Sequence, residues 1–241
     1  MSRGKWVLML GVFAAIALAV GASPAAADLI FGTLTPTPAC GPVGTVGSVC
    51  APNETFTFGG DTVTAHGFPG APGPAAGTSN LTLKPEPLNS RSESGLGVQA
   101  NNTSATCTDP DCEINPPQSV SVTRVDSTLI KDAQIGSVQA GESFNFFVQT
   151  TEGGAFTQLN AAPITNTCSF PGGSVVGTDL CQWDAPAGQT RFGVAVQAVN
   201  GDELLTSVST VVIPEPTTLL MVGTALVGLG AGWRRRLSKK A

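Results

Sequence analysis

Residues 192–212 read FGVAVQAVNGDELLTSVSTVV and hold the two longest β-strand patterns of the chain. Apolar residues alternate with small or polar ones over 192–199 and again over 204–212, which is the period-two pattern of a half-buried strand. Shorter runs of the same kind lie at 55–58, 62–64, 81–83, 120–122 and 144–148. No long amphipathic helical pattern interrupts them. The sequence therefore predicts an all-β fold, an antiparallel β-sandwich or a jelly-roll-like domain.

The composition supports this fold class and excludes several functions. The chain has 241 residues with 41% hydrophobic and only 12% charged residues, and it contains 29 Gly and 18 Pro. This content can bury a core and supply many turns, whereas helix bundles would need more charged residues. Tyr is absent and His66 is the only histidine. A mechanism or metal site that uses two histidines therefore lacks the second one, and we expect a non-enzymatic protein without cofactor or metal.

Charge is distributed unevenly along the chain. Residues 28–213 contain 16 acidic and five basic residues, which gives this segment a net charge of −11. Most other basic residues lie at the two ends of the chain. A strongly acidic surface repels phosphates, so nucleic acid is excluded as a partner.

The first 27 residues have the organisation of a secretory signal peptide. Arg3 and Lys5 precede an apolar run over 6–20, and small residues including Ala25 and Ala27 follow it. This order predicts cleavage by signal peptidase after Ala27, and an uncleaved anchor is the alternative. An exported domain over 28–213 would begin at the next residue.

The last 28 residues, 214–241, have three parts in a fixed order. They begin with the tripeptide Pro214, Glu215 and Pro216, continue with an apolar run over 217–233, and end in a basic tail that starts with Arg234, Arg235 and Arg236. A helix of this apolar length reaches roughly 25 Å, a marginal transmembrane span. The arginines after it predict a cytoplasmic C-terminus.

This ending resembles the PEP-CTERM sorting signal of exported bacterial proteins. The resemblance rests on Pro214, Glu215, Pro216 and the cluster Arg234 to Arg236. It implies recognition by exosortase while the C-terminal helix holds the protein in the inner membrane, followed by transfer to the cell surface or extracellular matrix. Exopolysaccharide is then a candidate partner. The GLGV element at 95–98, with Glu113 and Ile114 after it, resembles a β-domain that recurs in PEP-CTERM proteins, which implies a strand framework and no site.

Six cysteines form three close pairs along the chain, namely Cys40 and Cys50, Cys107 and Cys112, and Cys168 and Cys181. In an exported protein this spacing favours three local disulfides that fix loops. A zinc site is the alternative, although the usual spacing of its ligands is missing.

Three other groups of residues are candidates for chemistry. Asp109, Asp111 and Glu113 alternate, so they either share one face and bind calcium or form a solvated acidic turn. Trp183 either stacks on a sugar or packs near the disulfide at Cys181. His66, with Asp61 nearby in sequence, is interpreted as a surface histidine at a strand end rather than an acid-base group.

These features lead to three functional hypotheses. The first is a non-enzymatic exported surface or matrix protein that exosortase processes. The second is a secreted carbohydrate-binding or carbohydrate-active module on the same scaffold. The third is a permanent type I membrane protein with one transmembrane helix.

Overall fold

The computed structural model describes residues 27–33, 40, 47–58, 61–85, 90–99, 106–107, 112–125, 128–189 and 191–212. The predicted signal peptide before Ala27, the tripeptide 214–216, the helix 217–233 and the arginine cluster lie outside these residues. Within them the helical turns contain three residues each, Phe31–Thr33 and Arg91–Glu93. No described helix has the length and hydropathy that a membrane crossing requires.

Fifteen strands account for most of the described residues. In chain order they are β1 (Ala27–Ile30), β2 (Gly47–Val49), β3 (Asn53–Phe58), β4 (Asp61–Phe68), β5 (Leu81–Lys84), β6 (Gly95–Val98), β7 (Thr106–Cys107), β8 (Ser119–Arg124), β9 (Thr128–Gly136), β10 (Ser143–Gln149), β11 (Phe156–Gln158), β12 (Gly173–Gly177), β13 (Leu180–Asp184), β14 (Gly193–Asn200) and β15 (Leu204–Val212).

The strands form two antiparallel sheets. The large sheet has the order β12-β13-β9-β15-β6-β5-β2-β7, and β1 also pairs with β15. The small sheet has the order β11-β10-β14-β8-β4-β3. The two sheets pack together, which confirms the predicted all-β sandwich.

The core lies between the two sheets and consists of one large cluster and a small second one, which contains Val49 and the disulfide between Cys107 and Cys112. Apolar side chains from both sheets join one buried cluster, in which Phe146 of β10 contacts Trp183 of β13 with ring centroids 5.2 Å apart. Near the other end of the cluster, Phe31 meets Phe56 edge-on at 5.5 Å. Each fully buried side chain of this size stabilises the fold by about 1.5–3 kcal/mol.

The predicted strands are present, and others were missed. All seven predicted runs lie in β3, β4, β5, β8, β10, β14 and β15. The central strand β9 was not predicted because Lys131 and Asp132 interrupt its apolar alternation. Its backbone nevertheless pairs with β15 along almost its full length, so tertiary pairing outweighs the local pattern.

The cysteines are joined as neighbouring pairs: Cys40 to Cys50, Cys107 to Cys112, and Cys168 to Cys181. This confirms the predicted local disulfides. Because all six cysteines of the chain are used, no thiolate remains for zinc, and the zinc alternative was wrong.

Candidate sorting site and a buried charge cluster

The strand β15 leads directly into the predicted sorting tripeptide. Its last residue, Val212, is paired with Thr128 of β9, and Pro214 follows only two residues later. On the other side of β15, Ala27 of β1 is paired with Thr210. The chain therefore enters the tripeptide from a strand that has neighbours on both sides almost to its end.

The first and last described residues of the domain, Ala27 and Val212, lie close together at one end of the large sheet. Strand β1 begins where β15 ends, because the two strands are antiparallel and Ala27 lies opposite Thr210. The predicted signal peptidase site thus includes one residue of a strand, Ala27, whereas Ala25 lies outside the described residues. Cleavage after Ala27 stays a prediction.

Comparison with protein families agrees with this location. Residues 212–236 match a family model described as the PEP-CTERM protein-sorting motif. The chain carries a PEP-CTERM sorting motif. The matched range begins at the last residue of β15 and contains the tripeptide 214–216 and the arginines 234–236.

The PEP-CTERM motif identifies the chain as an exported protein that is targeted to exosortase and the cell surface. It also implies processing by that enzyme. Neither a curated protein nor a solved structure matches the chain. The resemblance of the GLGV region to a recurrent β-domain stays a prediction, although these four residues do form β6.

A cluster of charged side chains lies inside the opposite end of the domain. Lys84, at the end of β5, is 1% exposed and donates a hydrogen bond to Glu113 Oε1, and Glu113 is itself only 2% exposed. Glu93 Oε2 lies 3.9 Å from Lys84 Nζ. The "buried charge cluster" consists of Lys84, Glu93, Glu113, Ser137, Glu142, Asp202 and Glu203.

Ser137 and Asp202 complete the surroundings of the Glu113 carboxyl group. The buried Ser137 hydroxyl lies 3.2 Å from Glu113 Oε2 and 3.3 Å from Glu93 Oε2, so it donates to one of them at a time. Ser137 has a φ of 58°, a left-handed conformation that costs a non-glycine residue about 1–3 kcal/mol. Asp202 makes a side-chain hydrogen bond with Glu113.

Burial changes the protonation of two carboxyl groups in the cluster. It raises the pKa of Glu113 to about 8, and the hydrogen bond with Asp202 raises it further while Lys84 opposes the shift. Burial also raises the pKa of Glu203 to about 9, helped by the nearby charges of Glu142, Asp202 and Glu113. Within the described part of the chain, neither carboxylate oxygen of Glu203 accepts a hydrogen bond from another residue. At neutral pH both groups favour the protonated form.

The cluster corrects the interpretation of Glu113. As part of a solvated acidic turn or a calcium-binding face, Glu113 would be exposed, but it is buried against Lys84. Asp109 and Asp111 lie outside the described residues. Among the residues that are described, no group of three His, Cys, Asp or Glu side chains is placed to hold a metal ion.

No pattern in the sequence predicts this cluster as a whole, although one residue points to it. Lys84 directly follows the apolar run Leu81–Thr82–Leu83 of a predicted strand, where a charged residue is unusual. Its partners come from distant parts of the chain, and Glu113 is 29 residues away. Only the folded sheet brings these residues together.

The histidine site consists of His66 and its neighbours on the outer face of the small sheet. His66 Nδ1 lies 2.6 Å from Asn53 Oδ1, and Nε2 lies 3.4 Å from Thr123 Oγ1. Burial lowers the pKa of the imidazole. His66 is half-buried and lies in β4 two residues before the strand ends, and Asp61 lies at the start of the same strand, paired with Phe58.

A small groove of about 130 Å³ adjoins His66. Arg124 lies on one side of the groove, where its guanidinium group stacks on Phe192 at 4.6 Å and pairs with Glu152 at 2.9 Å. The cation is thus already neutralised by a carboxylate of the same domain. This pairing fixes the position of the Arg124 side chain and leaves little positive charge to attract an anion.

Trp183 is not available to a ligand. Its side chain is fully buried and packs on Phe146, and its indole Nε1 has no hydrogen-bond partner among the residues that the structure describes. Stacking of Trp183 on a sugar ring is therefore excluded, and the packing interpretation is confirmed.

Proposed function

We propose that the domain is a non-enzymatic structural component of the cell surface or of an exopolysaccharide matrix, which exosortase delivers by processing the chain near residues 214–216. Signal peptidase removes residues 1–27 first, and the C-terminal helix then holds the protein in the inner membrane with its C-terminus in the cytoplasm. After processing, the acidic β-sandwich joins the surface or matrix.

The observation that carries this proposal is the position of the sorting motif. The motif begins at Val212, the residue at which β15 ends, so processing near Pro214 separates a complete sandwich from the helix. A protein that acts after its release benefits from this arrangement because all the described strands lie before the cut.

The surface of the domain supports a structural role. Its segment carries a net charge of −11, its cysteines are all in disulfides, and its one tryptophan is buried. These features suit persistence outside the cell, where polysaccharide and divalent cations surround the protein.

The test is to change Pro214, Glu215 and Pro216 to alanine in the full chain and express it in its native host. Membrane fractionation and intact mass then report whether the C-terminal helix is present. We expect the native chain to lose the helix and leave the membrane fraction, whereas the variant keeps both. A helix retained in the native chain would contradict processing and favour a permanent type I membrane protein.

The chain itself offers a matched control. Residues 85–87 form a second Pro-Glu-Pro tripeptide, which neither an apolar segment nor an arginine cluster follows. Alanines at these three positions should leave processing unchanged. Loss of processing in this control as well would mean that the fold, rather than the sorting tripeptide, limits recognition. Saturable binding or turnover of glycans by the released domain would favour the carbohydrate-active alternative.

A further inference from the structure

The buried charge cluster contains the parts of a condensation reaction. Lys84 Nζ is hydrogen-bonded to Glu113 Oε1, and the Ser137 hydroxyl lies at the other oxygen of the same carboxyl group. Asp202 also interacts with the Glu113 carboxyl group through a side-chain hydrogen bond. We propose that Lys84 and Glu113 condense within the folded chain to an amide, so that the domain contains an intramolecular cross-link between their side chains. This proposal does not depend on the matrix function.

Proximity is the first argument. The amine and the carboxyl group are in hydrogen-bonding contact, and both residues are at least 98% buried. Groups held together in this way react as if their concentration were on the order of 10⁵–10⁸ M. Burial also keeps out the water that would otherwise favour hydrolysis.

The cost of burying charge is the second argument. An ammonium and a carboxylate in the interior each lose most of their hydration, and their attraction only partly offsets this loss. Transfer of one proton from Lys84 to Glu113 leaves an uncharged amine and an uncharged carboxyl group. The raised pKa of Glu113, which results mainly from burial, supports this transfer. The neutral pair is also the reactive pair, because only a neutral amine is a nucleophile.

Ser137 and Asp202 have roles in the reaction that follows. The Lys84 nitrogen attacks the Glu113 carboxyl carbon, and the Ser137 hydroxyl donates a hydrogen bond to the oxygen that gains negative charge. One proton must move from the nitrogen to the departing hydroxyl group, and the Asp202 carboxylate, which lies beside Glu113, is the base assigned to carry it. A carbon–nitrogen bond forms, a carbon–oxygen bond breaks, and one water molecule leaves. No oxidant, reductant or activated group is needed.

The backbone at Ser137 provides independent support. Its positive φ is unfavourable for a residue with a side chain, and glycine at this position would remove the strain. A serine is present instead, and its hydroxyl lies at Glu113. Strained residues of this kind concentrate at functional sites.

The cross-link would join two parts of the large sheet. Lys84 ends β5, and Glu113 precedes Ile114, which bridges to Glu203 just before β15. The amide would therefore tie β5 to the entrance of the strand that leads to the sorting motif. Unlike the neighbouring disulfide from Cys107 to Cys112, it would survive reduction.

The experiment is a peptide map of the full chain purified from its host. The protein is reduced, denatured and digested with trypsin, which cuts after Arg91 and Arg124 but not between Lys84 and Pro85. Because two of the disulfides lie within the two resulting peptides, nothing but the proposed amide joins them after reduction. We expect one species that contains both peptides and is lighter by one water molecule. Recovery of only the two separate peptides at full mass would overturn the proposal and leave a buried, hydrogen-bonded pair.

Variants distinguish a chemical cross-link from any other association. Lys84→Arg keeps the positive charge but supplies no neutral amine, so the joined species should disappear. Lys131→Arg, on an exposed residue, is the matched control and should keep it.

Asp202→Asn and Ser137→Ala should slow cross-linking after a pulse of synthesis by about ten-fold or more each. Unchanged rates in both would overturn their assigned roles, and a joined species in Lys84→Arg would overturn the assignment of the amine. If Lys84→Arg fails to fold, the peptide map of the native chain decides alone.

Discussion

Leu29 and Val208 are register partners in the large sheet, and through this pairing the first strand of the domain, β1, lies against the last, β15. The partner strand β9 holds the other side of β15 as far as Val212. The bond that exosortase would cut near Pro214 lies beyond these pairings. Processing can therefore proceed without opening the sheet, and we expect β1 to remain bound to β15 in the processed protein.

The pairing of β1 with β15 predicts the effect of shortening Leu29. This side chain is fully buried and lies in register with Val208. Leu29→Ala should lower the free energy of unfolding by about 2–5 kcal/mol because it leaves a cavity. Urea denaturation of the purified protein measures the change. Thr33→Ala, at an exposed position just after β1, is the control, and equal stability of the two variants would contradict the docking of β1.

The disulfide between Cys168 and Cys181 predicts a second loss of stability. Both cysteines are buried, and the bond closes a loop across 13 positions of the sequence. Replacing both with alanine should lower the free energy of unfolding by about 3 kcal/mol, since the unfolded chain regains freedom. A thermal melt compares this variant with Thr167→Ala, a change at the exposed residue just before Cys168. A melting temperature unchanged from the native value would show that the loop is held without the bond.

Glu203 predicts that stability falls as the pH rises. Its pKa in the folded chain, about 9, lies above the ordinary value of 4.5, and the acidic groups that act on it are Glu142, Asp202 and Glu113. The folded state therefore keeps a proton that the unfolded chain releases. The resulting stabilisation is complete below the ordinary pKa and is lost as the pH approaches 9.

The measurement is urea denaturation at about pH 5 and about pH 8. We expect a lower unfolding midpoint at the higher pH in the native chain. Glu203→Gln cannot ionise, so it should weaken this dependence and leave the part that comes from Glu113, whose pKa is also raised, whereas Glu152→Gln on an exposed loop should keep the full dependence. A midpoint that rises with pH in the native chain would contradict a neutral, buried Glu203.

Trp183 predicts a simple spectroscopic test of the core. It is the one tryptophan of the chain within residues 28–213, and it is fully buried. Fluorescence of the processed domain should therefore have a blue-shifted maximum that moves to the red on unfolding, and soluble glycans should not quench it. Quenching of the folded domain by a glycan would show that the indole reaches a binding site, contrary to its position against Phe146.

The large sheet contains strands that the sequence pattern predicts and strands that it does not. Strands such as β14 and β15 were predicted because apolar residues alternate with small or polar ones along them, so that the apolar residues share one face of the strand. Strand β12 was missed because it is an exposed edge strand with two valines, Val175 and Val176, that do not face the core. Strand β9 was missed because a charged pair interrupts its pattern. In both strands pairing with neighbours, rather than local preference, determines the conformation.

The sequence alone determined the properties that depend on neighbouring residues. Alternation along single strands predicted the all-β class, close cysteine spacing predicted the local disulfides, and the contiguous order of tripeptide, apolar run and arginines predicted the sorting motif. The tertiary structure alone decided which distant residues meet. Lys84, Glu113, Ser137 and Asp202 come together only because strand register sets their positions. Their altered chemistry results from shared burial, which a linear pattern of residues does not contain.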